Sequence, residues 1–151
     1  MFKDIFEKHP SLGMRHHLET VFSDLSSHEL TLRIQEFLKF ICLQSLKDSG
    51  FIPVSEEIDL IWHEYILQTR AYETLCQDLP GKKFVHHQTI SLIEYTQQKN
   101  NRYEIAKAML DWIPKYRKYF GNFTEETAHY WLIVDFLIKN HGFTLEKINK
   151  I

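Results

Sequence analysis

The chain has 151 residues, of which 44% are hydrophobic, 14% aromatic and 25% charged, and its formal net charge is −2. This length corresponds to one domain that can bury a core without disulfides or a structural metal, and the composition excludes a disordered chain. The negative charge argues against nucleic acid or an anionic membrane as a partner. With only two cysteines, a disulfide framework is not expected, and we predict a reduced, cytoplasmic protein.

Two stretches bear on secretion and membrane insertion. The first ten residues, MFKDIFEKHP, carry charges of both signs and no apolar run, so we expect no secretory signal. The most apolar stretch, YWLIVDFLI at 130–138, is interrupted by Asp135 and is shorter than the ~20 residues that span a bilayer. We therefore predict no membrane partner.

Helical periodicity begins at the start of the chain. Apolar residues recur every three or four positions, which is typical of helices with one buried face. The stretch 2–6 predicts a short helix and the stretch 12–25 a longer one. Ser26 and Glu29 fit a capping box at the start of a third helix, which Gly50 is expected to end.

The next predicted helix covers residues 56–78. Ser55 is a suitable N-cap, and Pro80-Gly81 follows the last periodic position. If this segment were one straight helix, His63 and Cys76 would lie about 20 Å apart.

The second half of the chain continues the helical pattern. The stretch 84–98 is ambiguous between extended and helical structure, whereas 102–113 reads as a helix that Pro114 ends or kinks. Thr124 is expected to cap a last long helix, which a short tail helix follows. We therefore predict an all-α fold in which residues 1–151 form a single compact domain of about five to seven helices.

The residues with the strongest chemical potential are histidines and one carboxylate. Asp59 and His63 lie four positions apart on one predicted helical face, so the carboxylate could hold the imidazole and leave Nε2 for a metal ion or a proton. The turn at Pro80-Gly81 would return His86 or His87 beside His63, although neighbouring residues point in different directions and only one should join a site. A structural polar pair at the edge of the core is the favoured alternative.

Cys76 is the second candidate for chemistry. The sequence places no helix N-terminus or cationic side chain beside Cys76 to lower its pKa, and a free cysteine usually behaves as a small buried hydrophobic residue. A nucleophilic Cys-His site is therefore the weaker interpretation. The chain also has no glycine-rich phosphate loop, GxSxG elbow or HExxH motif.

The stretch KYRKYF at 115–120 interleaves basic and aromatic residues. Such a pattern could bind single-stranded RNA by stacking bases and holding phosphates. Tyr116, Tyr119 and Phe120 also form an ordinary core stripe, however, with the basic residues facing water. Because the net charge is negative, we favour the core interpretation.

Several uncommon residues occur in the order of a known family pattern. The elements are Ile58-Asp59-Leu60-Ile61-Trp62-His63, the stretch from Thr69 through Tyr72 to Cys76, the pair His86-His87, and KYRKYFG. Over residues 33–121 the chain thus resembles the glycine-rich domain-containing protein-like family, a helical module of plants, fungi and bacteria, although the glycine-rich tail of plant members is absent. The resemblance implies no settled activity. It does imply the signature residues Asp59, Trp62, His63, Tyr72, Cys76, His86 and His87.

We therefore expect a small cytoplasmic helical module that is not catalytic and binds a protein partner or packs in an assembly. The alternative is a metal-binding protein or metal-dependent enzyme, with a divalent ion such as zinc at His63, His86 or His87, and Asp59. Three structural expectations accompany these hypotheses. Trp62 should be buried and both cysteines should be free thiols. The His63 ring should lie within hydrogen-bond or short-water reach of Asp59, and within about 8 Å of one ring of the His86-His87 pair.

Overall fold

A computed structural model describes residues 2–46, 50–87 and 102–151 of the chain. Within these ranges the fold is all-α, as predicted, and it contains more helices than the five to seven expected. The predicted helix SLIEYTQQ (91–98) lies outside the described residues. The helices are α1 (Lys3–Lys8), α2 (Leu12–Val21), α3 (Ser27–Ser45), α4 (Glu56–Leu67), α5 (Thr69–Asp78), α6 (Arg102–Leu110), α7 (Trp112–Phe120), a 3-10 turn (Ala128–Tyr130), α8 (Leu132–His141) and α9 (Leu145–Ile148).

The long helix α3 is the centre of the domain. It packs against α1, α4 and α7, and more than one of its faces is buried. Its start follows the predicted cap, because the Ser26 hydroxyl accepts a hydrogen bond from the Glu29 backbone N–H at 3.1 Å. The helix ends at Ser45, before the Gly50 stop that the sequence suggested.

The predicted single helix over 56–78 is wrong, because the chain breaks at Gln68. This residue has φ −88° and ψ 74°, outside the helical region, and it separates α4 from α5. The break brings the indole Nε1 of Trp62 to 2.9 Å from the hydroxyl of Tyr72. Ten residues of a straight helix would span about 15 Å, so this bond requires the two helices to fold against each other.

The predicted break near Pro114 is present, but it lies at Asp111, so the helix predicted over 102–113 ends earlier, at Leu110. Pro114 itself lies in the first turn of α7, where its missing N–H removes no helical bond. Its ring is incompatible with a helical carbonyl four residues earlier, at Leu110, and α6 ends at that residue.

The predicted helix from Thr124 is also wrong in its first half. A 3-10 turn precedes Trp131, which is extended, with φ −105° and ψ 104°, and forms an isolated antiparallel bridge with Val54. The Ser55 N–H donates to the Tyr130 carbonyl at 2.8 Å. These bonds tie the segment before α4 to the start of α8, and this tertiary pairing replaces local helical bonds.

A buried carboxylate joins α3 to both later segments. Glu36 is almost fully buried, and one of its oxygens accepts hydrogen bonds from the Tyr116 hydroxyl at 3.1 Å and the Trp131 indole at 2.8 Å. The other oxygen lies 2.7 Å from the Lys39 ammonium. Burial of a charge is tolerated only with such partners. The favoured core interpretation of Tyr116 in KYRKYF is therefore confirmed.

The described helices also bear on the membrane question. Not one of those within 2–46, 50–87 and 102–151 combines the length and the apolar character needed to cross a bilayer.

Candidate functional site

Trp62 and Tyr72 belong to the pattern on which the family resemblance rests, and with the Val85 carbonyl they form a polar network, named the signature network after that pattern. Trp62 is 8% exposed, so its predicted burial is confirmed, and its indole donates to the Tyr72 hydroxyl. That hydroxyl donates in turn to the backbone carbonyl of Val85. The network therefore fastens the segment after α5 to the α4–α5 pair, and each of these polar groups already has a partner inside the protein.

His87 lies beside this network and takes the partner that the sequence assigned to His63. Its Nε2 lies 2.8 Å from the Asp59 carboxylate, and its ring packs edge-on against Trp62 with centroids 4.4 Å apart. The expected Asp59–His63 pair is thus replaced by Asp59–His87. His63 lies one helical turn after Asp59, but the segment held by the Tyr72 hydroxyl places the His87 imidazole against this carboxylate.

The predicted convergence of the histidines is confirmed for His63 and His87. Their ring centroids are 5.9 Å apart, within the predicted 8 Å, and the rings are nearly perpendicular. His86 points elsewhere and packs against Phe84, with centroids 4.9 Å apart. Only one member of the His86-His87 pair therefore joins His63, as neighbouring residues in an extended segment require.

A multi-ligand metal centre is not formed by the described side chains. Among them, no group of three or more histidine, cysteine, aspartate or glutamate residues is placed to hold a metal ion. His63 and His87 offer two nitrogens, whereas zinc sites in proteins use three or four ligands. Asp59 is placed to orient His87 through a hydrogen bond, in the manner of the outer carboxylate of a metal site.

Cys76 packs under the same segment. Both Cys76 and Cys42 are buried free thiols, as predicted. Burial raises the pKa of the Cys76 thiol, and it raises the pKa of Cys42 to about 12. A thiol that resists ionisation is a poor nucleophile. The structure therefore favours the packing interpretation of Cys76 over a Cys-His nucleophile.

The loop after α5 presents an exposed aromatic ring on a constrained backbone. Gly81 approaches the Ser45 carbonyl so closely that an added Cβ would lie 2.6 Å from that oxygen. Lys82 has a positive φ of 48°, which costs energy for a residue with a side chain. Phe84, which is 48% exposed, stacks edge-on over Tyr72 at 5.1 Å. The loop is therefore held in one shape by its backbone and by the network beneath it.

A second region, a cleft of about 680 Å³, opens where the α1–α2 connection faces the α4–α5 junction. Its walls combine apolar side chains, including Met14 and Tyr65, with two cationic side chains, Lys8 and Arg70. The volume lies in the range of small-molecule sites, which are mostly apolar with a few placed polar groups.

Two histidines line this cleft, and each is paired with a carboxylate. The Nε2 atom of His9, a residue almost fully buried, lies 2.7 Å from the Asp78 carboxylate. The Nε2 atom of His17 lies 3.3 Å from Glu64. Each carboxylate holds the Nε2 atom of its histidine, and this hydrogen bond fixes the orientation of the imidazole ring.

The cleft also receives the start of α5. The first residues of this helix, Thr69 to Ala71, line it, and the preceding residue, Gln68, supplies no side-chain cap. The first N–H groups of a helix have no partner within the helix, and they carry the positive end of its dipole. This end of α5 therefore adds hydrogen-bond donors to the cationic wall.

Sequence comparison identifies the family of this chain. The family model described as UCP032817-like matches residues 5–110, which is more than half of the chain. The chain belongs to the UCP032817-like family. That description carries no activity, substrate or partner. No curated protein and no solved structure matches the chain.

The family match covers both regions described above. It includes the signature network, and it includes the cleft residues from Lys8 to Asp78. Sequence reasoning found the first region, since Trp62, Tyr72 and the histidines follow a recognisable order. It did not predict the second, because the histidines that line the cleft, His9 and His17, follow no recognisable pattern in the sequence. The nearest signal was the HP dipeptide at 9–10, which predicts a turn between two helices.

Proposed function

We propose that this member of the UCP032817-like family is a non-catalytic protein-binding module whose partner contacts the loop from Lys82 to His86. The observation that carries the proposal is the half-exposed Phe84 ring, fixed between Tyr72 and His86 on a loop with a strained residue. Large aromatic side chains on pre-shaped surfaces are typical anchors of protein interfaces, because little conformational entropy is lost on binding.

The chemistry of the loop specifies its partner. Lys82 and Lys83 are exposed beside Phe84. The matching surface is an apolar depression that receives the ring, flanked by carboxylates that meet the two ammonium groups. We also propose, as part of this function, that the signature of the glycine-rich domain-containing protein-like family serves to support the loop. In this view Tyr72 and Trp62 act as a scaffold that holds Val85, and with it the loop, from below.

A comparison of captured proteins tests the proposal. Wild-type protein, the Phe84→Ala variant and a Tyr103→Ala control are immobilised and exposed to an extract of the native cells. Tyr103 is another exposed aromatic residue, so its removal matches the loss of apolar surface. We expect a partner that wild type and Tyr103→Ala retain and that Phe84→Ala and the double variant Lys82→Glu/Lys83→Glu lose. The partner is then purified and its affinity for each variant is measured directly.

Two results would decide against the proposal or refine it. If Phe84→Ala retains every protein that Tyr103→Ala retains, the loop is not the interface. Sedimentation velocity of wild type at increasing concentration distinguishes the assembly form of the proposal. Self-association that Phe84→Ala abolishes identifies a second copy of the chain as the partner.

Metal binding by His63 and His87 is the second proposal. The 5.9 Å separation of the rings and the Asp59–His87 hydrogen bond support it. Two nitrogens predict weak, exchangeable binding, since zinc is held tightly by three or four ligands. Zinc titration of protein without a histidine tag, followed by calorimetry, should give binding that His63→Ala abolishes and His16→Ala preserves. Equal binding by all three proteins would contradict this site.

A further inference from the structure

The cleft between the α1–α2 connection and the α4–α5 junction lies outside the surface proposed to bind a protein. We infer that this cleft binds a small organic anion, with one carboxylate or phosphate group and an apolar body. The inference goes beyond the proposed function and does not depend on it, because the loop from Lys82 to His86 does not line the cleft.

The charge distribution of the cleft selects an anion. Lys8 and Arg70 are the cationic residues of its lining, and Asp78 is the acidic one. The Asp78 carboxylate already faces His9 at 2.7 Å, so its charge is directed to an internal partner. The lining is thus basic within a chain whose net charge is negative. An anion entering it meets two cations and no free carboxylate among the described lining residues.

Hydrogen-bond donors surround the same space. The N-terminus of α5 at Thr69 to Ala71 contributes backbone N–H groups, and the side chains of His17 and Gln68 lie on the adjacent wall. Gln68 Nε2 is 3.5 Å from His17 Nε2, the atom that also faces Glu64, so these two side chains form a polar edge whose groups already have partners inside the protein. The backbone N–H groups at the start of α5 can bind the oxygens of a carboxylate or phosphate, and the Arg70 guanidinium and Lys8 ammonium add charge-assisted bonds.

The remaining walls require an apolar body on the ligand. Met14 and Tyr65 are buried, and together with Ala71 and Leu67 they supply a hydrophobic surface. The cleft of about 680 Å³ is much larger than a phosphate or acetate ion. Burial of apolar surface would contribute most of the affinity, while the charged head group would fix the orientation.

Phenyl phosphate and benzoate are suitable probes of this chemistry. Both carry an aromatic body and an acidic group, and comparison of the two distinguishes a phosphate site from a carboxylate site. Inorganic phosphate, benzyl alcohol and benzylamine test the head group alone, the body alone and the opposite charge. Binding is followed by two-dimensional amide NMR of ¹⁵N-labelled full-length protein. We expect saturable shifts for at least one of the two aromatic anions, concentrated at the amides of Thr69, Arg70 and Ala71.

Two variants separate the charge from the space. Arg70 is exposed, so Arg70→Gln should leave the fold intact and raise the dissociation constant about tenfold, the factor that loss of one charge-assisted contact produces. Gly13 lines the cleft and has no atom within 4 Å of an added Cβ. Gly13→Leu therefore adds a side chain at the cleft wall and favours the helix, so we expect the variant to fold and its weaker binding to report the lost space.

A matched control and the contrary outcomes complete the test. Lys107→Gln removes an exposed cation from α6, remote in sequence and not part of the cleft lining, and should leave the dissociation constant within about twofold, a change smaller than one charge-assisted contact produces. The inference is overturned if neither aromatic anion saturates at millimolar concentration, or if benzyl alcohol or benzylamine binds equally well. It is also overturned if inorganic phosphate alone matches phenyl phosphate, or if Arg70→Gln and Gly13→Leu both bind like wild type.

Discussion

The α4–α5 helix pair contributes to two regions that differ in how their polar groups are used. In the signature network, the groups of Trp62 and Tyr72 point inward and bond to each other and to Val85. In the cleft, Arg70 and the start of α5 line open space. A recognisable sequence pattern can therefore mark a region of packing, whereas a cleft can form where the sequence shows no pattern.

The largest expected effect concerns the centre of the signature network. Trp62→Ala should lower the free energy of unfolding by about 3–5 kcal/mol, because it deletes a buried aromatic side chain and leaves a cavity. The measurement is urea denaturation followed by circular dichroism. Leu60→Ala is the control, since Leu60 lies on the same helix but is 44% exposed, and it should cost less than about 1 kcal/mol. Similar losses for both variants would mean that the network is no more important than the helix surface.

Removal of one oxygen tests whether the network is cooperative. Tyr72→Phe should cost about 1–3 kcal/mol, because it leaves the Trp62 indole N–H and the Val85 carbonyl without their shared partner. Amide NMR should also show changed shifts in the segment up to His87, which this hydroxyl fastens. Tyr103→Phe, which alters an exposed ring, should have no effect on stability. An unaltered segment in Tyr72→Phe would contradict the role assigned to the hydroxyl.

A third prediction concerns alkaline pH and the core that both regions share. Burial raises the pKa of Cys42 from 9.0 to about 12. Above pH 9 the unfolded chain therefore loses a proton that the native protein keeps, and the native protein is destabilised as pH rises. The contribution of this group is about 1.4 kcal/mol per pH unit between the two pKa values.

The measurement is the free energy of unfolding at several pH values from 9 upward. Cys42→Ala should flatten the decline relative to wild type, whatever its own effect on stability at neutral pH. A decline of equal slope in both proteins would show that Cys42 ionises as readily in the folded protein as in the unfolded chain.

The smallest expected effects compare one histidine–carboxylate pair from each region. In the cleft, the His9 side chain is 7% exposed and its bond to Asp78 is 2.7 Å long, so Asp78→Asn should cost about 1–2 kcal/mol. The Asp59 side chain, which is 48% exposed, pairs with His87, and Asp59→Asn should cost less than about 1 kcal/mol. Thermal denaturation of both variants gives the order. The reverse order would mean that the Asp59–His87 pair contributes more to stability than the His9–Asp78 pair.

Local signals in the sequence predicted much of the helical framework, and they failed where a distant segment intervened. The Ser26–Glu29 cap and the break near Pro114 follow from local hydrogen bonding and ring geometry. The break at Gln68 does not, because the stretch around it has helical periodicity and no proline or glycine. It accompanies the Trp62–Tyr72 contact between two helices.

The candidate sites show the same division. The turn at Pro80-Gly81 predicts that one of the later histidines approaches His63, and the ring of His87 does so. The partner of Asp59 could not be predicted, since a helix offers His63 locally and only the position of the returning segment supplies His87. The burial and bonding of the Glu36 carboxylate likewise could not be predicted, because its partners Tyr116 and Trp131 lie 80 and 95 positions away in the sequence.

The sequence by itself determined that this chain is a helical domain, where several of its helices begin and end, and that Trp62 and both cysteines are buried. These properties depend on periodicity, caps and residue type, which act over a few neighbouring positions. Only the tertiary structure decided which polar groups meet. The packing of the helices brings Trp62 and Tyr72 into hydrogen-bonding contact, and it leaves a cleft between the residues near His9 and the α4–α5 junction. Both outcomes depend on how helices distant in sequence pack together, which short-range patterns do not encode.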